Sequence, residues 1–176
     1  MHEGLEGHEA HPAEPWTLPV AVTMSILTVL VAMATLLAHR AATEKLLLQT
    51  KATDQWAFYQ AKNIRLHEMQ SVVDMLGALA PADKQKATAL QEKYKKEVER
   101  YQDDKDEISD KAKELEAESA HISNREDRFD AAEVILEIGL IICSLTLITR
   151  KMAFWYSGIT LGVVGFLVAI TGFFVH

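Results

Sequence analysis

Two carboxylates, Glu133 and Glu137, stand four residues apart inside an otherwise apolar run, AAEVILEIGLIICSLTLIT, from Ala131 to Thr149. On a helix that spacing puts both side chains on one face. An ionised acid inside a membrane span costs a few kcal/mol, so such residues pair with a base or help to move protons or cations. Both roles are open here. In the first, the pair handles protons or a cation. In the second, Arg40 or His39, which close an earlier apolar run, neutralise the acids as a tie between helices, with Arg40 and Glu137 as the favoured pair.

The amino-terminal stretch MHEGLEGHEAHPAEPW sets His2, His8 and His11 beside Glu3, Glu6 and Glu9. Imidazole and carboxylate both bind divalent metals, but this spacing matches no closed site. No phosphate loop, nucleophile elbow, HExxH, CxxC or dinucleotide-binding glycine pattern occurs in the 176 residues. The expectation is therefore a protein that is not an enzyme, with no cofactor and no catalytic residues. Cys143, the single cysteine, cannot form an internal disulfide.

The elements that must carry these residues follow from how charge is distributed. The net charge is -7, and of 18 Lys/Arg and 25 Asp/Glu, sixteen and nineteen lie between Arg40 and Asp130. The basic residues alternate with acids and form no patch, which argues against nucleic acid as a partner. Apolar residues gather at the two ends, and no stretch reads as a sheet. The pattern predicts an all-α membrane protein with one extended polar arm.

Five segments result. Residues 1–16 are too polar and too broken by Gly and Pro to pack, and read as a disordered tail ending in the interfacial anchor Trp16. Residues 17–39 form a first transmembrane helix: Thr17 to Ala38 holds no charge and reaches about 33 Å, enough for a bilayer core of about 30 Å. Residues 40–130 form an extramembrane helical arm. Residues 131–149 form the second span, and residues 153–175 the third, which opens on Phe154, Trp155 and Tyr156 after a basic turn at Arg150 and Lys151.

Small residues mark two faces. Ala21, Ser25, Thr28, Ala32 and Thr35 recur along the first span, and Gly158, Gly162, Gly165, Ala169 and Gly172 along the third. Small-residue stripes are how helices approach closely in lipid. The first and third spans are expected to pack on each other through these stripes, or on copies of themselves in an oligomer.

In the arm, a four-three pattern runs through Leu48, Ala52, Gln55, Tyr59, Lys62, Leu66, Met69, Val73, Leu76 and Ala80, a coiled-coil seam with two polar interruptions. Gly77 to Pro81 supplies a breaker, with Pro81 and Asp83 suited to opening the next helix. There Ala87, Tyr94, Tyr101, Ile108, Leu115 and Ile122 recur every seven residues, joined by Val98 and Ala112. Ser123-Asn-Arg-Glu126 has the form of a capping box. A break there would give two near-equal legs and an antiparallel hairpin; the competing reading runs one unbroken helix into the second span.

The motif from Lys51 to Lys62, KATDQWAFYQAK, is where the chain resembles the bacterial membrane proteins catalogued as domain-of-unknown-function family 4337. The resemblance extends over roughly Trp16 to Val175 in the order of parts: a span ending in a basic residue, the motif, a charged arm, an acid-bearing span, a basic turn and a third span. It implies the architecture and brings no reaction. Within the motif Trp56, Phe58 and Tyr59 give an apolar face wider than a two-helix seam needs, suited either to packing inside the hairpin or to contact with another subunit.

The functional expectation is a multi-pass protein of the cell membrane, a scaffold or accessory subunit in the lipid bilayer. It forms a homo-oligomer or joins a larger membrane complex through its arm and the glycine-bearing face. The alternative is a proton- or metal-responsive transport or sensing protein using Glu133 and Glu137. Arg40, Lys45, Lys51, Arg125 and Arg128 beside the arm, against Arg150 and Lys151 at the other end, place the arm in the cytoplasm.

Overall fold

The structure, a computed structural model, describes residues 14–78 and 84–174. It has three helices, α1 (Thr17–Ala78), α2 (Lys84–Thr149) and α3 (Met152–Gly172), and no strand among the described residues. Each helix contains a stretch long and apolar enough to cross a membrane. The expectations for His2, His8, His11, Ala80, Pro81, Asp83 and Val175 lie outside the described residues.

The length of α1 has a local cause. Pro19 lies in its first turn, where a missing N–H costs nothing, and no further proline or glycine occurs before Gly77. Hydroxyls in the apolar stretch turn back on their own helix: Thr23 donates to the Pro19 carbonyl, Ser25 to Ala21 and Thr28 to Met24. Polar groups are thus satisfied without water. Helix α2 passes through Ser123 to Glu126 without a break, so the unbroken reading is the one adopted. Continuity keeps Leu115, Ile122, Phe129, Leu136 and Cys143 in one seven-residue register, all buried or half-buried. A capping box at Ser123 would have interrupted that register.

The chain divides into two compact units, residues 1–40 with 124–176, and residues 41–123. In the first, Val20, Leu27 and Ala34 of α1, seven apart, pack with Leu136 and Cys143 of α2, flanked by Trp16, Met24, Leu140 and Trp155. An ion pair joins Glu14 to Arg150 at 3.3 Å, and Thr35 meets Glu133 at 2.7 Å, so α1 and α2 are antiparallel here. Trp155 Nε1 donates to Thr23 Oγ1 at 3.1 Å, which sets α3 parallel to α1. Between α2 and α3 only Arg150 and Lys151 lie outside a helix; Arg150 has φ 58° and donates its N–H to the Thr146 carbonyl at 2.8 Å. That is a left-handed helix end made without glycine.

In the second unit the two segments pair antiparallel. Leu48 and Ala52 are buried with Leu115, beside Ile122, and a Cβ on Gly77 would lie 3.3 Å from Gln91 Nε2. Each buried leucine contributes about 1.5–3 kcal/mol. Every described member of the α1 seam is buried or half-buried, including the interruptions Gln55 and Lys62.

Candidate functional site

Lys62 sits in the seam because it has two partners there. Its ammonium donates to Asp104 Oδ2 at 2.6 Å and stands 4.9 Å from the centre of the Tyr101 ring. The hydrogen bond from Lys62, with its positive charge, holds the Asp104 carboxyl below its ordinary value. The aromatic motif is arranged around this pair. Trp56 and Tyr59 are half-buried, their rings edge-on at 5.5 Å; Trp56 Nε1 donates to Glu116 Oε1 at 2.7 Å, and Lys105 lies over the Tyr59 ring at 5.5 Å. Phe58 is different. It is 56% exposed and lines an open groove with Gln55, Lys62, Asp104, Ile108 and Lys111. The motif therefore splits into two aromatics fastened within the unit and one turned out.

In the other unit the glycines of α3 form an inward face. Gly158, Gly162, Gly165 and Gly172 are buried and Ala169 is half-buried. A Cβ on Gly158 would lie 2.8 Å from the Gly139 carbonyl oxygen, and one on Gly172 2.9 Å from the Phe129 ring. Gly139, which the periodicity left aside, is its counterpart on α2: a Cβ there would lie 3.1 Å from the Gly158 carbonyl oxygen. The glycine face of α3 thus packs mainly on α2, with Leu27 of α1 against Gly162. The α1 stripe does not meet it. Ala21, Ser25, Thr28 and Ala32 are exposed, and only Thr35 turns inward.

The two acids also part company. Glu133 is half-buried and accepts a hydrogen bond from Thr35 Oγ1 at 2.7 Å. Glu137 is exposed, and no hydrogen bond or ion pair engages its side chain among the described residues. No ion pair joins Arg40 to Glu133 or Glu137 among those residues either, and the antiparallel packing explains why. With Glu133 level with Thr35, each step along α2 towards Glu137 moves back along α1, away from Arg40. Glu137 is level with Val31, about 13 Å along the axis from Arg40 at roughly 1.5 Å per residue. Thr35 was the missed partner; its spacing within the small-residue stripe was visible, its inward direction was not. No group of three or more His, Cys, Asp or Glu able to hold a metal occurs among the described residues.

These features define, among the described residues, three helices of membrane-crossing length, an inward glycine face in one unit and an aromatic-bearing helical pair in the other. The chain belongs to the family described as Domain of unknown function (DUF4337), whose model matches residues 16–175. No curated protein and no solved structure matches it.

Proposed function

We propose that the chain is a non-enzymatic, multi-pass membrane protein that serves as a scaffold or accessory subunit. Residues 41–123 act as an extramembrane helical hairpin arm, which assembles with copies of itself or docks onto a larger membrane complex. Phe58 carries this reading. Its neighbours Trp56 and Tyr59 are held within the unit, while its ring stands in an open groove beside a charged pair. Aromatic residues, Phe among them, are enriched at protein interfaces relative to the rest of the surface. The test is the mass and composition of the complex recovered in mild detergent. Phe58→Ala should shrink that complex while leaving the helical content unchanged. An unchanged complex would remove Phe58 from the contact and the arm from the role.

The arm lies in the cytoplasm in this reading, on the strength of Arg40, Lys45, Lys51, Arg125 and Arg128 near its two roots. A reporter inserted after Gly77 that works only inside the cell supports it; one that works only outside reverses the orientation.

The second reading, proton- or cation-linked transport or sensing, draws on the outward position of Glu137 in an apolar stretch. It requires a pH-dependent ion flux in liposomes that Glu137→Gln abolishes.

A further inference from the structure

Glu137 is exposed, and no hydrogen bond or ion pair engages its side chain among the described residues. Its neighbours on the same side of α2, Val134, Ile138 and Ile141, are exposed as well. It is six residues in from Ala131 on a 19-residue apolar run, about 9 Å from its arm end at roughly 1.5 Å per residue. A carboxylate facing lipid at that depth is costly to leave without a partner. The chain itself carries a polar face at a matching depth. On the outer side of α1, Ser25 and Thr28 are exposed between Ala21 and Ala32, and Ser25 and Ala21 line a shallow groove with Val22, Ile26 and Val29.

We infer that a second copy of the chain covers Glu137, whose carboxylate meets the Thr28 hydroxyl on the outer face of the neighbour's α1. This inference rests on the membrane reading above and names the partner in its assembly. Three observations carry it. Copies inserted the same way hold equivalent residues at equal depth. Glu137 is level with Val31, and Thr28 is three residues beyond it, about 4.5 Å at roughly 1.5 Å per residue, within reach of a glutamate side chain. Small residues on both sides of Thr28 let a neighbouring helix approach closely. The chain already contains such a contact: the one hydroxyl proton of Thr35 of α1 is shared between Glu133 Oε1 of α2 at 2.7 Å and the Val31 carbonyl oxygen at 3.0 Å. Thr28 donates in the same way to the Met24 carbonyl at 2.9 Å and has no second partner among the described residues. The contact joins one face of a copy to a different face of the next, so it is head-to-tail and closes as a ring or extends.

The test is cysteine cross-linking in native membranes with Glu137 left in place. In a Cys143→Ala background, one tagged copy carries Ser25→Cys and a differently tagged copy Ile141→Cys, positions on the same faces as Thr28 and Glu137. Oxidation should give a mixed product at several times the yield of a control in which Val163→Cys replaces Ser25→Cys. Adding Glu137→Leu to the Ile141→Cys copy should weaken association roughly three- to thirtyfold, the range for an interhelical hydrogen bond in lipid. Equal yields for both pairs, or a yield indifferent to Glu137→Leu, would overturn the inference. So would a product joining Ile141→Cys to some other protein. Alkaline carbonate separates this from the larger reading: a chain it releases was never in the bilayer, and both fall. A chain it leaves in the membrane without the 25–141 product overturns this inference alone.

Discussion

Leu136 occupies the space that a side chain on Gly165 would need: a Cβ there would lie 2.8 Å from Leu136 Cγ and 3.2 Å from the Ala132 carbonyl oxygen. The other glycines of α3 differ in what opposes them. At Gly162 the nearest atom is Leu27 Cδ2, the end of a flexible side chain at 2.5 Å, whereas at Gly158 it is a backbone carbonyl oxygen at 2.8 Å with Cys143 Cβ at 2.9 Å. Gly158→Ala should therefore destabilise more than Gly162→Ala, by about 1–3 kcal/mol as in overpacked cores. Val163→Leu, on the exposed side, should change little. Thermal unfolding in detergent ranks the three; equal losses at Gly158 and Val163 would refute the packing face.

The Thr35 and Glu133 side chains should be energetically coupled. A cycle of Thr35→Val, Glu133→Gln and the double variant should give about 0.6 kcal/mol of interaction and at most about 1.7, the average and the maximum measured for such bonds in membranes. The parallel cycle with Arg40→Ala and Glu137→Gln should be additive, because those residues lie at different depths. Coupling in the second cycle and none in the first would reinstate the charge tie between Arg40 and Glu137.

Acid should dissolve the Lys62–Asp104 contact. Asp104 titrates below its ordinary value of 3.8 because the ammonium bonds its charged form. The contribution to stability is thus present above about pH 4 and is lost as the pH falls through the lowered value. Wild type should melt higher than Asp104→Asn at pH 7, and the difference should shrink steadily as the pH falls below about 4. Because both groups reach solvent, raising the salt should also narrow the gap. A gap that stays the same size across that range would show that the carboxylate charge is irrelevant.

Arg150 holds a left-handed backbone that favours glycine. Arg150→Gly removes a penalty of about 1 kcal/mol, and with it an exposed ion pair to Glu14 worth no more than about 1 kcal/mol and more often close to zero. The balance favours a small net stabilisation, measurable as a rise in melting temperature. A clear fall would mean that Glu14 contributes more than an exposed partner at 3.3 Å should.

Periodicity made much of the fold readable, because a helix repeats its buried face at fixed intervals. Leu48, Ala52, Leu66 and Val73 in α1, and Ala112 and Leu115 in α2, are buried where their spacing put them. Spacing says which residues share a face and leaves open what the face meets. Two stripes with the same four-three pattern took opposite directions: the α3 glycines turn inward, and Ala21, Ser25, Thr28 and Ala32 turn outward. The partner of the α3 face included Gly139, a lone glycine with no pattern to announce it. Arg40 and Glu137 looked like a pair because both sit near the arm in sequence, yet antiparallel packing sends them to different levels. At Ser123 a local capping signal lost to a register running from Leu115 to Leu136.

The Arg150–Lys151 link leaves α2 and α3 no room to part at that end. Two helices tethered so closely meet at a high effective concentration, so their contact is an intramolecular event needing little affinity of its own. That is compatible with an interface of glycines, which offers close approach and few side-chain atoms. Were the chain supplied as two pieces divided between Arg150 and Lys151, the same surfaces would have to find each other by diffusion. Their association would then report the intrinsic strength of the glycine face, a quantity the intact chain conceals.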